Sequence, residues 1–143
     1  LANRLYSLRP DRQQIVGIGL DTSITGNADR FREKYAVTHP FILYAGRKDA
    51  GKNTPLLIRY FQRFLERHDS DISLVMIGNG TVPIPDSLQK AVIDLGFVSV
   101  QDKSDAYRAA DLFIQPSINE SFSIVMMEAW LQKTPVVVHA DCP

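Results

Sequence analysis

The chain has 143 residues, a length that fits one domain of ordinary size. Hydrophobic residues make up 45% of it and charged residues 22%, a globular composition that excludes a disordered chain. Because 16 basic residues are balanced by 16 acidic ones, the chain lacks the basic surplus typical of nucleic-acid-binding domains, and we expect no nucleic-acid partner.

Cysteine content and hydropathy bear on the cellular compartment. The single cysteine, Cys142, offers no disulfide framework, so the sequence favours a reducing, cytoplasmic setting. No run approaches the ~18 consecutive apolar residues of a transmembrane segment, and no signal peptide is visible. The abrupt start and end of the sequence suggest one domain, residues 1–143, that is truncated at both ends.

Short apolar runs alternate along the chain with helical periodicity. In chain order, the pattern predicts a strand at 15–18, a strand at 41–45, a helix at 54–67, a strand at 72–77, a helix at 86–95, a strand at 97–98, a helix at 104–110, a strand at 112–114, a helix at 120–131 and a strand at 135–138. Thr54 is the expected N-cap of the first of these helices, with Pro55 in the first helical position.

This alternation predicts an α/β fold with a Rossmann-like parallel sheet and helices on both faces, because the strands are apolar on both sides and the links are short. Such sheets bind ligands outside the carboxyl ends of their strands. The turns after Ala45, Ile77 and Ile114 are therefore the predicted ligand-binding positions.

The turn at residues 46–53 has nearly the glycine-lysine spacing of a phosphate-binding P-loop. However, Asn53 stands where a Ser or Thr hydroxyl would hold magnesium, and no predicted strand ends in a convincing metal-binding aspartate. Arg47 and Lys52, at a strand end beside a helix start, still suit a phosphate group. A solvated basic turn is the alternative.

The turn Gly78-Asn79-Gly80 follows a buried strand. Two glycines there allow a ligand or another backbone segment to approach closely, although ordinary turn chemistry is the stronger explanation.

Two glutamates, Glu120 and Glu128, lie eight positions apart near the next strand-to-helix junction. If both are helical they share a face, since eight residues make just over two turns. A carboxylate on the apolar helix of Glu128 needs a hydrogen-bonding partner, for which sugar hydroxyls are suitable. The alternative is that Glu120 complements the helix dipole and Glu128 pairs with a distant Lys or Arg.

The sequence predicts no metal site and no cofactor. Asp69-Ser70-Asp71 has the spacing of a metal-binding pair of aspartates, but it precedes a strand and so belongs to the wrong edge of the sheet. The histidines at positions 39, 68 and 139 show no ligand spacing.

Six ordered motifs together resemble the C-terminal domain of glycosyltransferase family four, whose members are retaining enzymes of the GT-B fold. The motifs are residues 18–21 (IGLD, similar to NGVD), residues 45–47 with Lys52 (AGR…K), residues 76–80 (MIGNG), residues 95–98 (LGFV), residues 110–128 (AD…PS…E-x7-E) and residues 135–137 (PVV). Three positions depart from the family pattern, which has Asn at Ile18 and Gly at Ser123 and Lys133.

The resemblance implies a role for each motif. Arg47 and Lys52 would hold the donor pyrophosphate and stabilise the departing nucleotide, and Glu120 would contact the donor sugar. Glu128 would bind the ribose hydroxyls. The remaining donor-binding positions that the resemblance implies are Gly46, Gly78, Gly80, Phe97, Val98, Ser121, Phe122 and Ser123, with the backbone near Phe97 and Val98 recognising the base.

The expected function is thus to bind a nucleotide-diphosphate sugar for metal-independent hexosyl transfer. The expected partner is an N-terminal Rossmann-like domain of the same protein, which would carry the acceptor and leave room for peripheral membrane contact. Without that domain we expect the chain alone to be inactive. The alternatives are a P-loop-like NTP-binding domain and a non-catalytic GT-B-like binding module.

Overall fold

A computed structural model describes residue 14, residues 17–120 and residues 122–142. Of the strand predicted at 15–18, the first two residues lie outside the described part, and Gly17 and Ile18 belong to no strand. The predicted site residue Ser121 also lies outside the described residues.

Helices and strands alternate along the described chain. In chain order they are α1 (Ala28–Tyr35), β1 (Phe41–Ala45), α2 (Thr54–Arg67), β2 (Ser73–Ile77), β3 (Val92–Gly96), α3 (Val100–Ala109), β4 (Leu112–Gln115), α4 (Ile124–Leu131) and β5 (Val136–Val138). Two short 3-10 turns, Ala50–Lys52 and Asp86–Leu88, lie in the connections.

The five strands form one parallel sheet in the order β3-β2-β1-β4-β5. The predicted α/β, Rossmann-like fold is therefore confirmed. The chain first builds outward from β1 to β3 and then returns to place β4 on the other side of β1. This reversal opens a crevice between the carboxyl ends of β1 and β4, where sheets of this kind bind their ligands.

Alternate residues of the central strands belong to two hydrophobic cores, one on each face of the sheet. Leu43 and Ala45 pack in a cluster with residues of α1, α3 and α4, while Tyr44 packs in a second cluster with residues of α2. The helices therefore cover both faces, and the buried strands are apolar on both sides as the sequence predicted.

Helix α1 was not predicted, because charges rather than an apolar stripe attach it to the fold. Phe31 is its one buried residue. Arg30 forms a two-pronged ion pair with Asp105 of α3, at 2.5 and 2.6 Å, and Lys34 pairs with Asp102 at 2.8 Å. Burial acts to raise the pKa of Asp105, but hydrogen bonds from Arg30, Asn27 N and Gln101 outweigh it, so the pKa lies below its ordinary value.

The helix predicted at 86–95 and the strand predicted at 97–98 are wrong. The first segment holds only a 3-10 turn followed by β3, and Phe97 and Val98 lie in the loop beyond that strand. The strand forms because Val92 and Ile93 pair with Leu74 and Val75 of β2. The charged Asp94 interrupts the apolar run, so the sequence pattern did not predict this strand.

Two predicted helix starts also shift. Helix α3 begins earlier than expected, at Val100, because Ser99 caps it by accepting a hydrogen bond from Asp102 N. Helix α4 begins only at Ile124, so Glu120 lies in the preceding loop and does not share a helical face with Glu128.

Thr54 is not the N-cap of α2. Asn53 occupies that position in the left-handed region, at φ 59°. The Thr54 hydroxyl instead donates to the carbonyl of Asp49, 3.0 Å away, and so closes the turn that precedes the helix.

Gly78 lets the turns after β1 and β2 touch. It has φ +118°, and a Cβ there would lie 2.1 Å from the carbonyl oxygen of Gly46. We predict that Gly78→Ala lowers the free energy of unfolding by roughly 2–5 kcal/mol, because it adds backbone strain to a steric overlap. Urea denaturation measures the loss.

Gly19→Ala is the control for this substitution, because a Cβ at Gly19 has no neighbour within 4 Å. It should change the stability by less than about 1 kcal/mol. Equal unfolding midpoints for the two variants would contradict the contact between the turns.

Candidate functional site

Three turns meet at the carboxyl edge of the sheet, over the crevice between β1 and β4. They are the turn at 46–53 after β1, the glycine turn at 78–80 after β2, and the described residues 116–120 and 122–123 after β4. The topology therefore brings together the segments that the sequence singled out. Asp69-Ser70-Asp71 precedes β2 and so lies at the opposite edge, as predicted.

Two adjoining cavities occupy this edge. The first, about 150 Å³ in volume, is lined by Tyr44, Ala45, Gly46, Lys52, Gln115, Glu120, Phe122, Ser123, Ile124 and Val125. The second, about 200 Å³, is lined by Ala45, Gly46, Ile77, Gly78, Phe97, Val98, Lys103 and Val125. Because Ala45, Gly46 and Val125 line both, the cavities adjoin across the end of β1, and we call the two together the edge trough.

A charged pair stands in the first cavity. Lys52 Nζ lies 2.6 Å from Glu120 Oε1, and both side chains are largely buried. The 3-10 turn that carries Lys52 is capped by Asp49, whose side chain accepts a hydrogen bond from Lys52 N. The two residues predicted to hold the phosphate and the sugar are thus in direct contact.

Arg47 faces solvent at the rim of this turn. Its side chain is 69% exposed, and its guanidinium approaches Asp49 only to 3.6 Å. The backbone of Arg47 is better fixed than its side chain, because the buried Tyr44 hydroxyl donates to its carbonyl at 2.6 Å. Burial raises the pKa of Tyr44 well above its ordinary range, so this donor keeps its proton.

Asn53, at the P-loop position normally taken by Ser or Thr, uses its amide elsewhere. Its Nδ2 donates to the carbonyl of Pro116, 3.1 Å away. This bond ties the turn after β1 to the loop after β4. The Asn53 side chain therefore connects two segments that border the edge trough.

Lys48 is a residue that the sequence reasoning missed. Its side chain is fully buried, and its ammonium donates to the carbonyl of Gly78 and, at 2.7 Å, to Asp94 Oδ1. Its backbone N–H donates to Asn79 O at 2.7 Å. Nothing in the sequence distinguishes it from the solvent-exposed Arg47 beside it.

Glu128 contacts two residues of α3. Its Oε1 pairs with the Lys103 ammonium and its Oε2 accepts from the Tyr107 hydroxyl at 3.2 Å. The pairing with a lysine distant in sequence, which the sequence left open as an alternative, is therefore present. Lys103 also lines the second cavity, so Glu128 lies one side chain away from the edge trough.

Phe97 and Val98 line the mouth of the second cavity beside Gly78. Phe97 is 80% exposed, which is unusual for a large aromatic ring in a domain of this kind. Gly96, at φ +66°, turns the chain out of β3 and directs this loop over the cavity.

Phe122 and Ser123, which the resemblance implies as donor-binding positions, line the first cavity just before α4. Gln115 lies beneath them and was missed by the sequence reasoning. Its one signal in the sequence is that it ends the apolar run of β4 with a polar side chain, directly before Pro116.

The chain belongs to the family of glycosyl transferases group 1, whose model matches residues 27–143. It is 36% identical over 104 residues to an uncharacterised glycosyltransferase of Methanocaldococcus jannaschii, covering 68% of this chain and 26% of that protein. It is 31% identical over 154 aligned positions to a D-inositol 3-phosphate glycosyltransferase of Corynebacterium aurimucosum, covering 94% of this chain and 37% of that protein.

Among solved structures, the Anabaena protein HepE in complex with UDP-glucose superposes with a TM-score of 0.71 at 21% identity, over 91% of this chain and 39% of that one. This likeness confirms the fold of a GT-B glycosyltransferase domain. The chain spans between 26% and 37% of the length of the two curated relatives. Within its described residues, no helix is both long and apolar enough to cross a membrane.

Removing only one partner of the Lys48–Asp94 pair should destabilise the fold. We predict that Asp94→Ala lowers the free energy of unfolding by roughly 2–4 kcal/mol, because it leaves a buried ammonium with only a carbonyl partner. Chemical denaturation measures the effect. The double variant Lys48→Met/Asp94→Leu should regain part of the loss, since no buried charge remains.

Asp71→Ala, at an exposed position on the opposite edge of the sheet, is the matched control and should be nearly neutral. If Asp94→Ala is as mild as Asp71→Ala, the Lys48–Asp94 pair does not stabilise this edge.

Proposed function

We propose that this domain binds the nucleotide-diphosphate sugar from which a retaining hexosyltransferase transfers the sugar. The observation that carries the proposal is the edge trough, whose first cavity holds the Lys52–Glu120 pair and whose second cavity is lined by Lys103, the partner of Glu128. The HepE structure contains UDP-glucose in a protein of the same fold. Two adjoining cavities suit an elongated ligand whose charged part lies near Lys52.

In this proposal the diphosphate lies over the turn after β1. Lys52 and the largely exposed guanidinium of Arg47 neutralise it, and amides near the start of α4 add a favourable dipole. When the bond between the sugar and the diphosphate breaks, its electron pair stays on the diphosphate oxygen. The two cations stabilise the charge that develops there, which makes them the expected catalytic groups.

The sugar and the nucleoside occupy opposite ends of the trough. Glu120 accepts hydrogen bonds from sugar hydroxyls once the diphosphate engages Lys52. Glu128 accepts from the ribose hydroxyls, and the base enters the second cavity, where Phe97 and Val98 contact it. The Lys103 ion pair supports this role, because it holds the Glu128 carboxylate in place.

The acceptor belongs to a second Rossmann-like domain of the full protein. This division follows from the resemblance, and the chain spans only part of its relatives. We therefore propose that residues 1–143 bind the donor without transferring sugar. A membrane-bound acceptor would be reached through that second domain.

Substitution of Glu128 tests the ribose assignment. Glu128→Gln should weaken nucleoside diphosphate binding about 10- to 100-fold, because a hydrogen bond to a charged group contributes roughly 1.5–3 kcal/mol. The loss should be much smaller for the 2′,3′-dideoxynucleotide, which has no ribose hydroxyls to lose. Isothermal titration with UDP, GDP and ADP and their dideoxy forms measures both affinities.

Lys103→Met is the control, since it breaks the same ion pair but leaves the carboxylate. It should leave the ratio of ribo- to dideoxynucleotide affinity unchanged. The ribose assignment is wrong if Glu128→Gln also leaves that ratio unchanged, or if both variants change it equally.

Donor binding should not require a divalent metal, because Lys52 and Arg47 supply the positive charge. We predict that the affinity for the same nucleoside diphosphates in excess EDTA is within about threefold of that in millimolar magnesium, a difference below 1 kcal/mol. Titration under both conditions measures it. Strict dependence on magnesium would favour a P-loop-like site at residues 46–53.

A further inference from the structure

Gln115 is a buried polar side chain in the floor of the edge trough. It is 3% exposed, and it lines the first cavity together with Lys52, Glu120 and Ser123. The strand before it is apolar, so a hydrophobic residue at this position would extend the core. A glutamine here requires a partner for each of its two polar atoms.

The two ends of the Gln115 amide differ in their surroundings. Its Nε2 donates to Glu120 Oε1 at 3.3 Å and to Ser123 Oγ at 3.4 Å. Its Oε1 is buried, and no hydrogen-bond donor among the described residues reaches it. The opposite orientation is disfavoured, because it would place the amide oxygen against the Glu120 carboxylate, and two acceptors repel.

A buried carbonyl oxygen without a donor is rare and weakens the fold, so its presence in a ligand cavity indicates what the ligand supplies. The missing group must donate a hydrogen bond. The diphosphate of a nucleotide sugar carries no proton at neutral pH and offers only acceptors. A sugar hydroxyl can donate.

We propose that Gln115 Oε1 accepts a hydrogen bond from one hydroxyl of the donor sugar and so contributes to the choice of sugar. This inference rests on the proposed function of the edge trough. The amide nitrogen has a second task, since it holds Glu120 toward the same cavity. Gln115 is then a specificity-determining residue between Glu120 and the sugar ring.

Access to Gln115 is coupled to the ion pair beside it. The oxygen has almost no solvent-accessible surface in this structure, so a neighbouring side chain must move before a ligand reaches it. Glu120 is placed to move, because a donor diphosphate competes with it for Lys52. Displacement of Glu120 from Lys52 by a diphosphate is the movement that this inference requires.

Replacement of Gln115 by Met tests the inference. Affinities are measured by isothermal titration for UDP, GDP and ADP and for their glucose, galactose and mannose conjugates. The tightest conjugate should weaken by about 2- to 10-fold, as expected for one neutral hydrogen bond, while the free diphosphate is unaffected. Among the 2-, 3-, 4- and 6-deoxy analogues of that sugar, one should show no difference between wild type and variant.

Gln132→Met is the matched control, because Gln132 uses both amide atoms within the fold. Its Oε1 accepts from Gly26 N and its Nε2 donates to Ile24 O. This control should lower the thermal midpoint without altering the preference for conjugate over diphosphate. Gln115→Met should leave the midpoint unchanged or raise it, since it removes an unpaired acceptor.

The outcomes separate this inference from the proposed function. If none of the diphosphates or conjugates binds to the wild type, the proposed function is wrong. If they bind but Gln115→Met weakens diphosphate and conjugate equally, or neither, the inference is wrong and the proposed function stands. Gln115→Asn retracts the amide by one methylene and should reproduce the selective loss, which provides a second test if the Met variant does not fold.

Discussion

A buried ammonium holds the carboxyl edge of this sheet together. Lys48 comes from the turn after β1 and donates to the carbonyl of Gly78 after β2 and to Asp94 in β3. Its charge is tolerable away from water because the carboxylate is a close partner. The contact of Gly78 with Gly46 and the position of the Phe97 loop both depend on these three strand ends keeping their spacing. This ion pair and the backbone hydrogen bonds from Gly46 N to Ile77 O and from Gly78 N to Gly96 O together hold the strand ends that border the second cavity.

The electrostatics of the edge trough follow from a second pairing. Glu120 is paired with Lys52, and Glu128 is paired with Lys103. Both carboxylates therefore have a cationic partner before any ligand binds. In the proposed function, a diphosphate would bring negative charge to this balanced site and compete for Lys52 in particular. Under that proposal, a donor has to exchange ion-pair partners in order to bind. Arg47 is largely exposed at the rim, and its ion pair with Asp49 is long, so it loses the least interaction on contacting a ligand.

The sequence predicts β1, β2, β4 and α2 well because each buries an apolar face of regular period. The sequence-based prediction fails where charged side chains, rather than a regular apolar face, attach an element to the fold. Helix α1 is attached by ion pairs from Arg30 and Lys34, and β3 carries Asp94, whose partner comes from another turn. The site shows the same limit. Family resemblance brings Lys52, Glu120 and Glu128 to one edge, but it does not indicate that each glutamate is already paired with a lysine.

Position 133 shows how a departure from the family pattern can be understood physically. The family has Gly there, and Lys133 adopts φ 64°, in the left-handed region where a side chain costs roughly 1–2 kcal/mol. The reversal between α4 and β5 still forms, because Thr134 N donates to Ala129 O at 3.0 Å and the Thr134 hydroxyl donates to Tyr107 O. Those bonds also tie α4 to α3, where Glu128 meets Tyr107 and Lys103. The geometry around Glu128 is therefore kept by contacts that compensate for the strained residue.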